Sequence, residues 1–330
     1  MTMPTFPIIK MTDLSPLHIG SGRENYDSAA SSLQSDTLSA ALAAIRAQQG
    51  KTEDLEEFLS SFTLSSAFPY WQDCYFLPKA QGKLAVSVNG KEEHEYRKKL
   101  KKIKLIESSL WNKLANGESL VVEESQVQGD YLLPKGKNTG LLSMSEVAER
   151  VTMPRDGLSD ATPFFFEWHY FAKDAGLYCL IDAQDSLFEE LKSLFAALGE
   201  SGIGTDKNVG GGKFNVEAGS LSLRTPDQKD GTMLLSLYIP TKEELDTIDL
   251  EKSRYALCLR GGFMAGSTNE NMRHLRKRSI YAFNVGSVFM PPLIPTGKVV
   301  NLKPEWKDPT MHPVYRSGRP FVVPIKQPDV

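Results

Sequence analysis

Apolar side chains recur at helical spacing in the first half of the chain. A helix is predicted from Ser35 or Asp36, as the N-cap, to Gly50. Its apolar face consists of Leu38, Ala41, Leu42 and Ile45. A second helix is predicted over 52–61, extended segments over 6–19 and within 68–88, and a charged, helical stretch over 91–117. From 121 to 160 the pattern weakens into Gly, Pro and isolated charges, which indicates an excursion or a projecting hairpin.

The second half alternates strands and helices more regularly. Strands are predicted over 176–181, 213–223, 233–239 and 255–259, with further extended chain over 280–290. Capping boxes at Ser186 and Thr241 predict two helix starts, and Gly199 with Gly202 ends the first of these helices. The order strand, helix, strand, strand, helix, strand is that of a ferredoxin-like module. The Pro-rich tail from Pro291 is expected to wrap over the surface.

These elements predict an α+β protein of two ferredoxin-like (RRM-like) modules with an inserted β-hairpin and a glycine-rich loop. The predicted boundaries are 1–120 for the first module, 121–172 for the linker and hairpin, 173–290 for the second module and 291–330 for the tail.

Composition narrows the function classes. The 330 residues are 41% hydrophobic, which suffices for a sizeable core, and no apolar run has the length of roughly 20 residues that a membrane span requires. Without a signal-peptide pattern, we expect a cytoplasmic protein that contacts no membrane. Cys74, Cys179 and Cys258 lie far apart, so no disulfide framework is expected. With 38 basic and 41 acidic residues, nucleic acid would have to bind at local basic patches.

The glycine-rich stretch 202–214 carries the strongest local signal. Five glycines beside Lys207 and Lys213 can bring backbone N–H groups close to a phosphate backbone. A nucleotide-binding P-loop is rejected, because Phe214 follows Lys213 and the loop joins a helix to a strand instead of a strand to a helix. The alternative is a glycine-rich connector without a ligand, and we weigh the functional interpretation above it.

Three further segments carry candidate chemistry. The loop 17–23 with the helix start 35–37 offers an anion site, although His18 packing at a strand end and Asp36 acting only as a cap is the alternative for each residue alone. The run 97–104 holds six basic residues, for which RNA contact and a solvated helix face are equally favoured. The segment 260–278 is a second candidate backbone-binding surface, or a charged loop at a subunit interface.

An enzymatic site is poorly supported. The five histidines lack metal-ligand spacing, and no Gly-x-Ser-x-Gly elbow is present. His18 is the one candidate general base. We therefore expect no catalytic residue, no metal and no cofactor.

Several motifs together resemble a known family. The loop GIGTDKNVGGGKF resembles the glycine-rich signature of the RAMP superfamily of CRISPR proteins. The segments LHIGSGR, SDTLSAAL, KKLKKIKLIESSLWNKLANGE, ERVTMPRDG and LRGGF…RKR…GSVF resemble, in order along the chain, subunit four of the type III-A (Csm) effector, which holds the 5′ end of the guide RNA.

The resemblance implies a non-catalytic RNA-binding subunit with a β-hairpin thumb. It implies binding to the repeat-derived 5′ handle of the crRNA, docking to the large polymerase-domain subunit, contact with the adjacent backbone RAMP subunit, and proximity of the thumb to target RNA. The RNA-binding residues that it implies are His18, Gly20, Ser21, Arg23, Ser35, Asp36, Thr37, Arg150, Arg155, Lys207, Gly210, Gly211, Gly212, Lys213, Arg260, Gly261, Arg276, Lys277 and Arg278. Asp206 departs from the family pattern and would repel phosphate, so that side of the loop is expected to face protein.

Three alternatives stay open. The chain is the equivalent subunit of a type III-B or III-D complex, a RAMP endoribonuclease that processes repeat RNA with His18 as the base, or a protein–protein scaffold with an incidental glycine loop.

Overall fold

A computed structural model describes residues 3–20, 26–30, 32–138, 142–154, 160–264, 267, 269–305 and 310–326. Short helices and mostly antiparallel sheets alternate along the chain, so the predicted α+β class is confirmed. The helices are α1 (Ser35–Gln48), α2 (Leu55–Ser60), α3 (Glu93–Lys102), α4 (Ser108–Ala115), α5 (Asp185–Ser201) and α6 (Lys242–Thr247). Among these described helices, none has the combined length and apolar character that crossing a membrane demands.

The strands follow the predicted extended segments and add many short ones. They are β1 (Thr5–Thr12), β2 (Thr63–Leu64), β3 (Phe68–Trp71), β4 (Cys74–Pro78), β5 (Val86–Val88), β6 (Leu105–Glu107), β7 (Leu120–Val122), β8 (Val127–Gln128), β9 (Tyr131–Leu132), β10 (Ser143–Thr152), β11 (Thr162–Phe171), β12 (Ala175–Asp182), β13 (Asn215–Ser222), β14 (Gly231–Leu234), β15 (Leu257–Arg260), β16 (Ile280–Phe283), β17 (Val288–Phe289), β18 (Val299–Asn301), β19 (Tyr315–Ser317) and β20 (Val322–Ile325).

The main sheet places the N-terminal strand in its interior. Its order begins β13-β1-β12-β3, and each neighbouring pair is antiparallel. Along the chain these strands and their two helices follow the order β1-α1-β3-β12-α5-β13. The sheet then continues through β4, β6, β9 and β8, which belong to the segment inserted between β3 and β12.

Both faces of this sheet are buried. Ile9 and Cys179 pack with the helices α1, α2 and α5 in one core. Ile8 and Leu180, one residue away on the same strands, pack into a second core that contains Met233 and residues of β20. Because strand side chains alternate between faces, a strand covered on both sides is apolar at nearly every position, as β12 is.

The ferredoxin-like order predicted within the second half is not the pairing that forms there. The predicted strands 176–181 and 213–223 correspond to β12 and β13, and both pair with β1. The predicted strands 213–223 and 233–239 follow one another through a polar turn at 227–231. They do not pair across this turn, because β14 pairs with β17 and β20 in a separate sheet and not with β13. Apolar periodicity defines each element, but it does not specify which neighbour completes the sheet. Strand pairing thus crosses the boundary proposed at 172/173, and the domain limits themselves stay predictions.

Three strands between 231 and 325 form the second sheet. β14 lies between β17 and β20, and isolated bridges join Tyr238 to Phe283 and Arg254 to Val288. The hairpin β15–β16 extends this arrangement. Val323 and Ile325 of β20 are buried in the core, so the expectation of a tail that only wraps over the surface is wrong for β20. Residues 321–325 are all apolar and their burial alternates as in a strand, but Pro320 before them and Pro324 within them concealed it in the sequence.

A long two-stranded hairpin lies within 121–172, the range predicted for the linker and hairpin. β10 and β11 pair with each other from Ser143–Phe171 to Thr152–Thr162 and with no other strand of the described residues. Val147, Val151 and Phe165 on this hairpin are more than half exposed.

Helix starts depend on tertiary contacts more than the sequence indicated. Gln34, not Ser35 or Asp36, is the N-cap of α1. The N–H group of Ser35, in the first turn of the helix, donates to a residue outside the helix, the Ser66 Oγ atom, at 3.0 Å. α5 begins after Gln184, so the capping box at Ser186 is wrong, and it runs through Gly199 to end at Gly202, which has φ +80°. The capping box at Thr241 is confirmed by reciprocal bonds with Glu244. All three cysteines are free, as expected.

Candidate nucleic-acid interface

The N-terminal loop and the glycine-rich loop lie directly against each other. Thr205 N–H donates to the His18 carbonyl oxygen at 2.9 Å, and Gly212 N–H donates to the Pro16 carbonyl oxygen at 2.9 Å. The Ser15 hydroxyl donates to the Gly210 carbonyl oxygen at 2.8 Å. Two segments nearly 200 residues apart in sequence therefore form one surface, because β1 and β13, which carry them, are neighbours in the main sheet.

The glycines in this loop serve two different purposes. At Gly212, with φ +67°, an added Cβ would lie 1.8 Å from the Ile203 carbonyl oxygen, and at Gly204 it would lie 2.3 Å from the His18 carbonyl oxygen. These two glycines permit the close packing of the loops. Around Gly210, by contrast, no heavy atom lies within 4 Å of an added Cβ, so this part of the loop is open to a ligand.

The base of the β10–β11 hairpin closes one side of the glycine loop. Arg150 forms an ion pair with Asp206, and its guanidinium lies 4.7 Å from the ring centroid of Phe166 and 5.3 Å from that of Trp168. Trp168 also lies beside Gly211, where an added Cβ would be 2.7 Å from its indole ring. Arg150 neutralises Asp206, so the acidic departure from the family pattern faces protein, as its charge indicated.

His18 is buried at this junction, with 1% of its surface exposed. Its Nδ1 lies 2.8 Å from the Glu167 carbonyl oxygen, which fixes Nδ1 as the donor, and its ring is 4.4 Å from that of Phe166. No described residue bonds Nε2. A general base must reach the proton that it removes, and so deep a position favours a structural role for His18 over a catalytic one.

The start of α1 lies at the contact between the two sheets. Asp36 is 2% exposed, and its carboxylate accepts bonds from Arg260 Nε at 2.9 Å and from Arg260 Nη2 at 2.8 Å. Arg316 Nη1 donates to Oδ2 of the same carboxylate at 3.0 Å. Burial by itself would raise the pKa of the Asp36 carboxyl, but the charges of Arg316 and Arg260 leave that pKa below its usual value. Thr37 Oγ1 accepts a further bond from Arg260 Nη2. The Ser35 hydroxyl accepts from Leu237 N–H at 3.0 Å.

The basic positions 273–278 follow Arg260 along the chain and precede β16. Burial, and then the charges of Arg316 and Arg260, lower the pKa of Lys277 to about 7, whereas the charge of Asp36 acts in the opposite direction. Loss of hydration and then the charge of Arg273 lower the pKa of Lys207. Arg316 was not among the predicted residues, because a lone arginine near a Pro-rich tail gives no signal of burial.

The other predicted residues of this loop have protein partners. Arg276 lies with its guanidinium 4.8 Å from the ring centroid of Phe263. Arg278 donates to the Asn301 carbonyl oxygen at 2.6 Å and approaches Glu305 at 3.5 Å, although half of its side chain is exposed. An added Cβ at Gly261 would meet Ser279 Oγ at 2.6 Å.

Most of the predicted residues are thus brought close to one another in two adjoining groups. His18, Gly20 and Arg150 lie against the glycine loop that contains Lys207 and 210–213, and Arg260 bonds to Asp36 and Thr37 at the start of α1. Lys213 is exposed, and its backbone N–H donates to Ser15 Oγ at 2.7 Å. Ser21, Arg23 and Arg155 lie outside the described residues. RNA contact by any of these residues stays a prediction.

A groove of about 720 Å³ opens beside the N-terminal loop. Its walls include Lys79, Lys101 and Lys104 together with His169 from the hairpin and Asn284 from the second sheet. Lys79 is half-buried, and burial lowers the pKa of its ammonium group. Lys79 was not among the predicted residues, because it stands alone after the apolar strand β4, whereas Lys101 and Lys104 belong to the basic run 97–104.

That basic run lies on α3, whose one buried side chain is Tyr96. Lys99 and Lys104 pair with Glu124 and Asp130 at 3.2 and 3.5 Å, on exposed surfaces. RNA contact along the groove and plain solvation both remain compatible with this geometry. In the part of the chain that the structure describes, no three His, Cys, Asp or Glu side chains are arranged to hold a metal ion.

Comparison with known sequences gives a consistent set of relatives. Residues 227–325 match the family model described as the CRISPR Csm4 C-terminal domain, which coincides with the second sheet and its connections. The "CRISPR system Cms protein Csm4" of Mycobacterium tuberculosis (strain ATCC 25618 / H37Rv) is 28% identical over 310 residues, covering 93% of this chain and 94% of that protein. The Streptococcus thermophilus protein of the same name is 28% identical over 303 residues, covering 87% and 89%.

Solved structures share the fold over the whole chain. A structure described as a Csm1-Csm4 cassette in complex with cA4 has a TM-score of 0.63 at 19% identity, covering 99% of this chain and 100% of that one. A Csm3-Csm4 subcomplex of the type III-A CRISPR-Cas interference complex has a TM-score of 0.59 at 18% identity, covering 98% and 100%. The chain is therefore similar to Csm4 proteins over nearly its full length in sequence, its residues 227–325 match the Csm4 C-terminal domain, and it shares the fold of solved Csm4 chains.

Proposed function

We propose that this chain is the subunit that anchors the 5′ handle of the crRNA in a type III-A effector, without catalytic activity of its own. The observation that carries this proposal is the convergence of the N-terminal loop, the glycine loop and the hairpin base on one surface, at which the side chain of Lys213 is exposed. The backbone N–H groups of 209–213 donate within the protein, so lysine side chains are assigned to hold the phosphate backbone in position without reading its sequence.

The topology supports two ferredoxin-like modules, with limits that differ from those predicted. β1-α1-β3-β12-α5-β13 with the strand order β13-β1-β12-β3 has the connections of a split βαβ module, interrupted between β3 and β12 by the inserted segment. We assign the second module to 231–325, where α6 is the one α-helix of the described residues and β14 lies between β17 and β20. The β10–β11 hairpin is the proposed thumb.

The partners follow from the family and from the exposed surfaces. Relatives assemble with Csm1 and Csm3 in structures described by those names. We assign this chain the equivalent contacts with a large polymerase-domain subunit and an adjacent backbone subunit. Leu257, Leu259 and Tyr281 form an exposed apolar area on β15 and β16, which suits a protein partner. The apolar hairpin side chains suit a position beside the duplex of guide and target RNA, in the cytoplasm where crRNA is made.

Crosslinking tests the RNA-binding role. The chain is expressed with its genomic neighbours and a CRISPR array, the complex is irradiated, and RNA crosslinked to this subunit is sequenced. Crosslinks are expected at the repeat-derived 5′ end. Lys213→Glu is expected to reduce them several-fold, whereas Lys192→Glu, a matched charge change on the exposed side of α5, leaves them unchanged. Crosslinks spread along the guide, or no RNA at all, would overturn the proposal.

Salt dependence and cleavage separate the alternatives. Phosphate contacts to single-stranded RNA give a slope of about 0.7 in log affinity against log salt for each contact, so Lys213→Glu should lower the slope by about that amount. A protein scaffold predicts no such dependence. An endoribonuclease predicts cleavage of repeat RNA by the purified protein that His18→Ala abolishes. Cleavage with this property would contradict the non-catalytic role.

A further inference from the structure

One end of the groove of about 720 Å³ is formed where the segment after β4 meets the turn between β16 and β17. Gln81 N–H donates to the Gly286 carbonyl oxygen at 2.8 Å. An added Cβ at Gly286, which has φ +85°, would lie 2.7 Å from the Lys79 carbonyl oxygen and 3.8 Å from Gln81 Nε2. The close approach of Gly286 therefore brings Lys79, Gln81 and Asn284 to the same end of the groove.

These three side chains keep polar groups that no described residue bonds. All three are half-buried, and all three line the groove. Asn284 Oδ1 accepts from Val285 N–H at 2.9 Å, which leaves the Nδ2 group of the amide available. In the described part of the chain, the Gln81 amide and the Lys79 ammonium group have no hydrogen bond or ion pair. Because half-buried polar groups have lost part of their hydration, they favour a ligand that restores their hydrogen bonds.

The rest of the groove is mainly apolar. Leu17, Phe68 and Leu177 line it together with the rings of Tyr131 and Phe171. A nucleobase has two apolar faces and an edge of hydrogen-bonding groups, so proteins bind unpaired bases with apolar or aromatic side chains at the faces and polar side chains at the edge. Small-ligand sites have volumes of about 300–1,000 Å³, a range that includes this groove.

The position of the groove favours RNA over the other occupant of suitable chemistry, an extended protein segment with apolar and acidic side chains. Leu17 and His169 both line the groove, and each donates its backbone N–H to the other's carbonyl oxygen at 2.9 Å. The N-terminal loop that contains Leu17 also accepts from Thr205 of the glycine loop, through the His18 carbonyl oxygen. The groove is thus continuous with the surface to which the RNA backbone is assigned.

We propose that this groove holds the base of one unpaired nucleotide of the bound RNA, and that Gln81 and Asn284 recognise the edge of that base while Lys79 donates to an oxygen of the same nucleotide. The inference rests on the proposed RNA-binding function and adds recognition of sequence to it. Phosphate contacts position an RNA without distinguishing its bases, whereas amide side chains at a base edge discriminate between them.

A base with the wrong edge leaves the amides of Gln81 and Asn284 without partners. Discrimination of this kind weakens binding by about 5- to 150-fold for one position. The groove has room for a nucleotide but not for the whole RNA strand, so the preference is expected at one position of the RNA and not along its length.

The test loads the assembled complex with a pool of synthetic crRNAs in which each handle position carries all four bases, and sequences the RNA that is retained. The wild type is expected to prefer one base at one position. Gln81→Leu removes the amide at similar volume and should reduce this preference several-fold. Asn284→Asp keeps the oxygen that accepts from Val285 N–H but lacks the Nδ2 donor, so the preference at the same position should fall or change to another base.

Two further variants serve as references. Lys213→Glu should weaken the retention of all sequences alike, because a phosphate contact does not distinguish bases. Gln48→Leu, the same chemical change as Gln81→Leu at the exposed end of α1, should alter neither retention nor preference. Thermal unfolding verifies that each variant is folded, and each of the two groove variants tests the site independently of the other.

The outcomes distinguish this inference from the function on which it rests. If the complex retains RNA without preference at any handle position, or with a preference that both groove variants leave intact, the base site is overturned and the RNA-binding role stands. If the wild-type complex retains no RNA, the proposed function itself fails. If the groove variants retain RNA as the wild type does but lose a protein subunit of the complex, the groove holds a protein segment and its assignment to RNA is wrong.

Discussion

Single glycines in the 202–213 loop have different physical requirements. Gly210 and Gly212 both have positive φ, at +89° and +67°, so a side chain at either position strains the backbone. At Gly212 an added Cβ would also meet a backbone carbonyl oxygen at 1.8 Å, whereas at Gly210 it would meet nothing. The two positions therefore separate the cost of backbone strain from the cost of a steric clash.

Gly210→Ala is expected to lower the free energy of unfolding by about 1–2 kcal/mol, the cost of a left-handed conformation for a residue with a Cβ. Gly212→Ala should cost distinctly more, because the added Cβ clashes with the Ile203 carbonyl oxygen and so disturbs the Gly212 N–H bond to Pro16 of the N-terminal loop. Urea denaturation of the two variants measures the difference. Equal losses would show that the loops can move apart without cost.

Residue types indicated the chemistry of this surface, but not which side chains remain available. Glycine and lysine together pointed to 202–213, and the exposure of Lys213 agrees with that interpretation. Asp36 and Arg150 were equally prominent in sequence, yet each is bonded to a charged partner that sequence separation conceals. A one-dimensional pattern does not specify ion pairs between residues more than 50 positions apart.

Among the secondary-structure elements, β20 gives the sharpest test of the architecture. It completes the second sheet, pairing with β14 from Gly231–Ile325 to Leu234–Val322. Its buried side chains reach the core beneath the main sheet. A strand from the C-terminal end of the chain therefore contributes to the packing of both sheets.

Ile325→Ala is expected to lower the free energy of unfolding by about 2–5 kcal/mol, because Ile325 is 4% exposed and its loss leaves a cavity. Ile294→Ala is the matched control in the same Pro-rich region: Ile294 is 86% exposed, and a surface change of this kind costs within about 0.5 kcal/mol. Chemical denaturation measures both. A small effect at Ile325 would mean that the tail only lies on the surface.

At the scale of the whole molecule, the ion pairs of Asp36 with Arg260 and Arg316 join the two halves of the chain. The carboxylate belongs to α1 and its arginines to β15 and β19, so the ion pairs connect the first helix with the C-terminal strands. Removing one member of a buried ion pair leaves the others uncompensated, which is more costly than losing an exposed pair.

Asp36→Asn is expected to lower the free energy of unfolding by about 3–5 kcal/mol at neutral pH. Glu217→Gln, which breaks the exposed pair with Lys10, is the control and should cost about 0–1 kcal/mol. Since the pKa of Asp36 is lowered in the folded protein, its contribution is present above the unfolded value of 3.8 and is lost as pH falls through the lower folded value. Denaturation at pH 7 and pH 3 checks the sign: the difference between wild type and variant should shrink in acid.

The sequence by itself determined the local elements and the chemical character of the surface. Periodic apolar positions placed α1, α5, β12 and β13 within a few residues, because burial of one face imposes a period on the chain. The motifs in order along the chain indicated the same proteins, Csm4, to which the comparisons find the chain similar. Tertiary structure alone decided that β1 lies between β12 and β13, that β20 completes the second sheet, and that Arg316 meets Asp36. Strand partners and buried ion pairs are set by which surfaces pack together, and that depends on the whole chain folding at once.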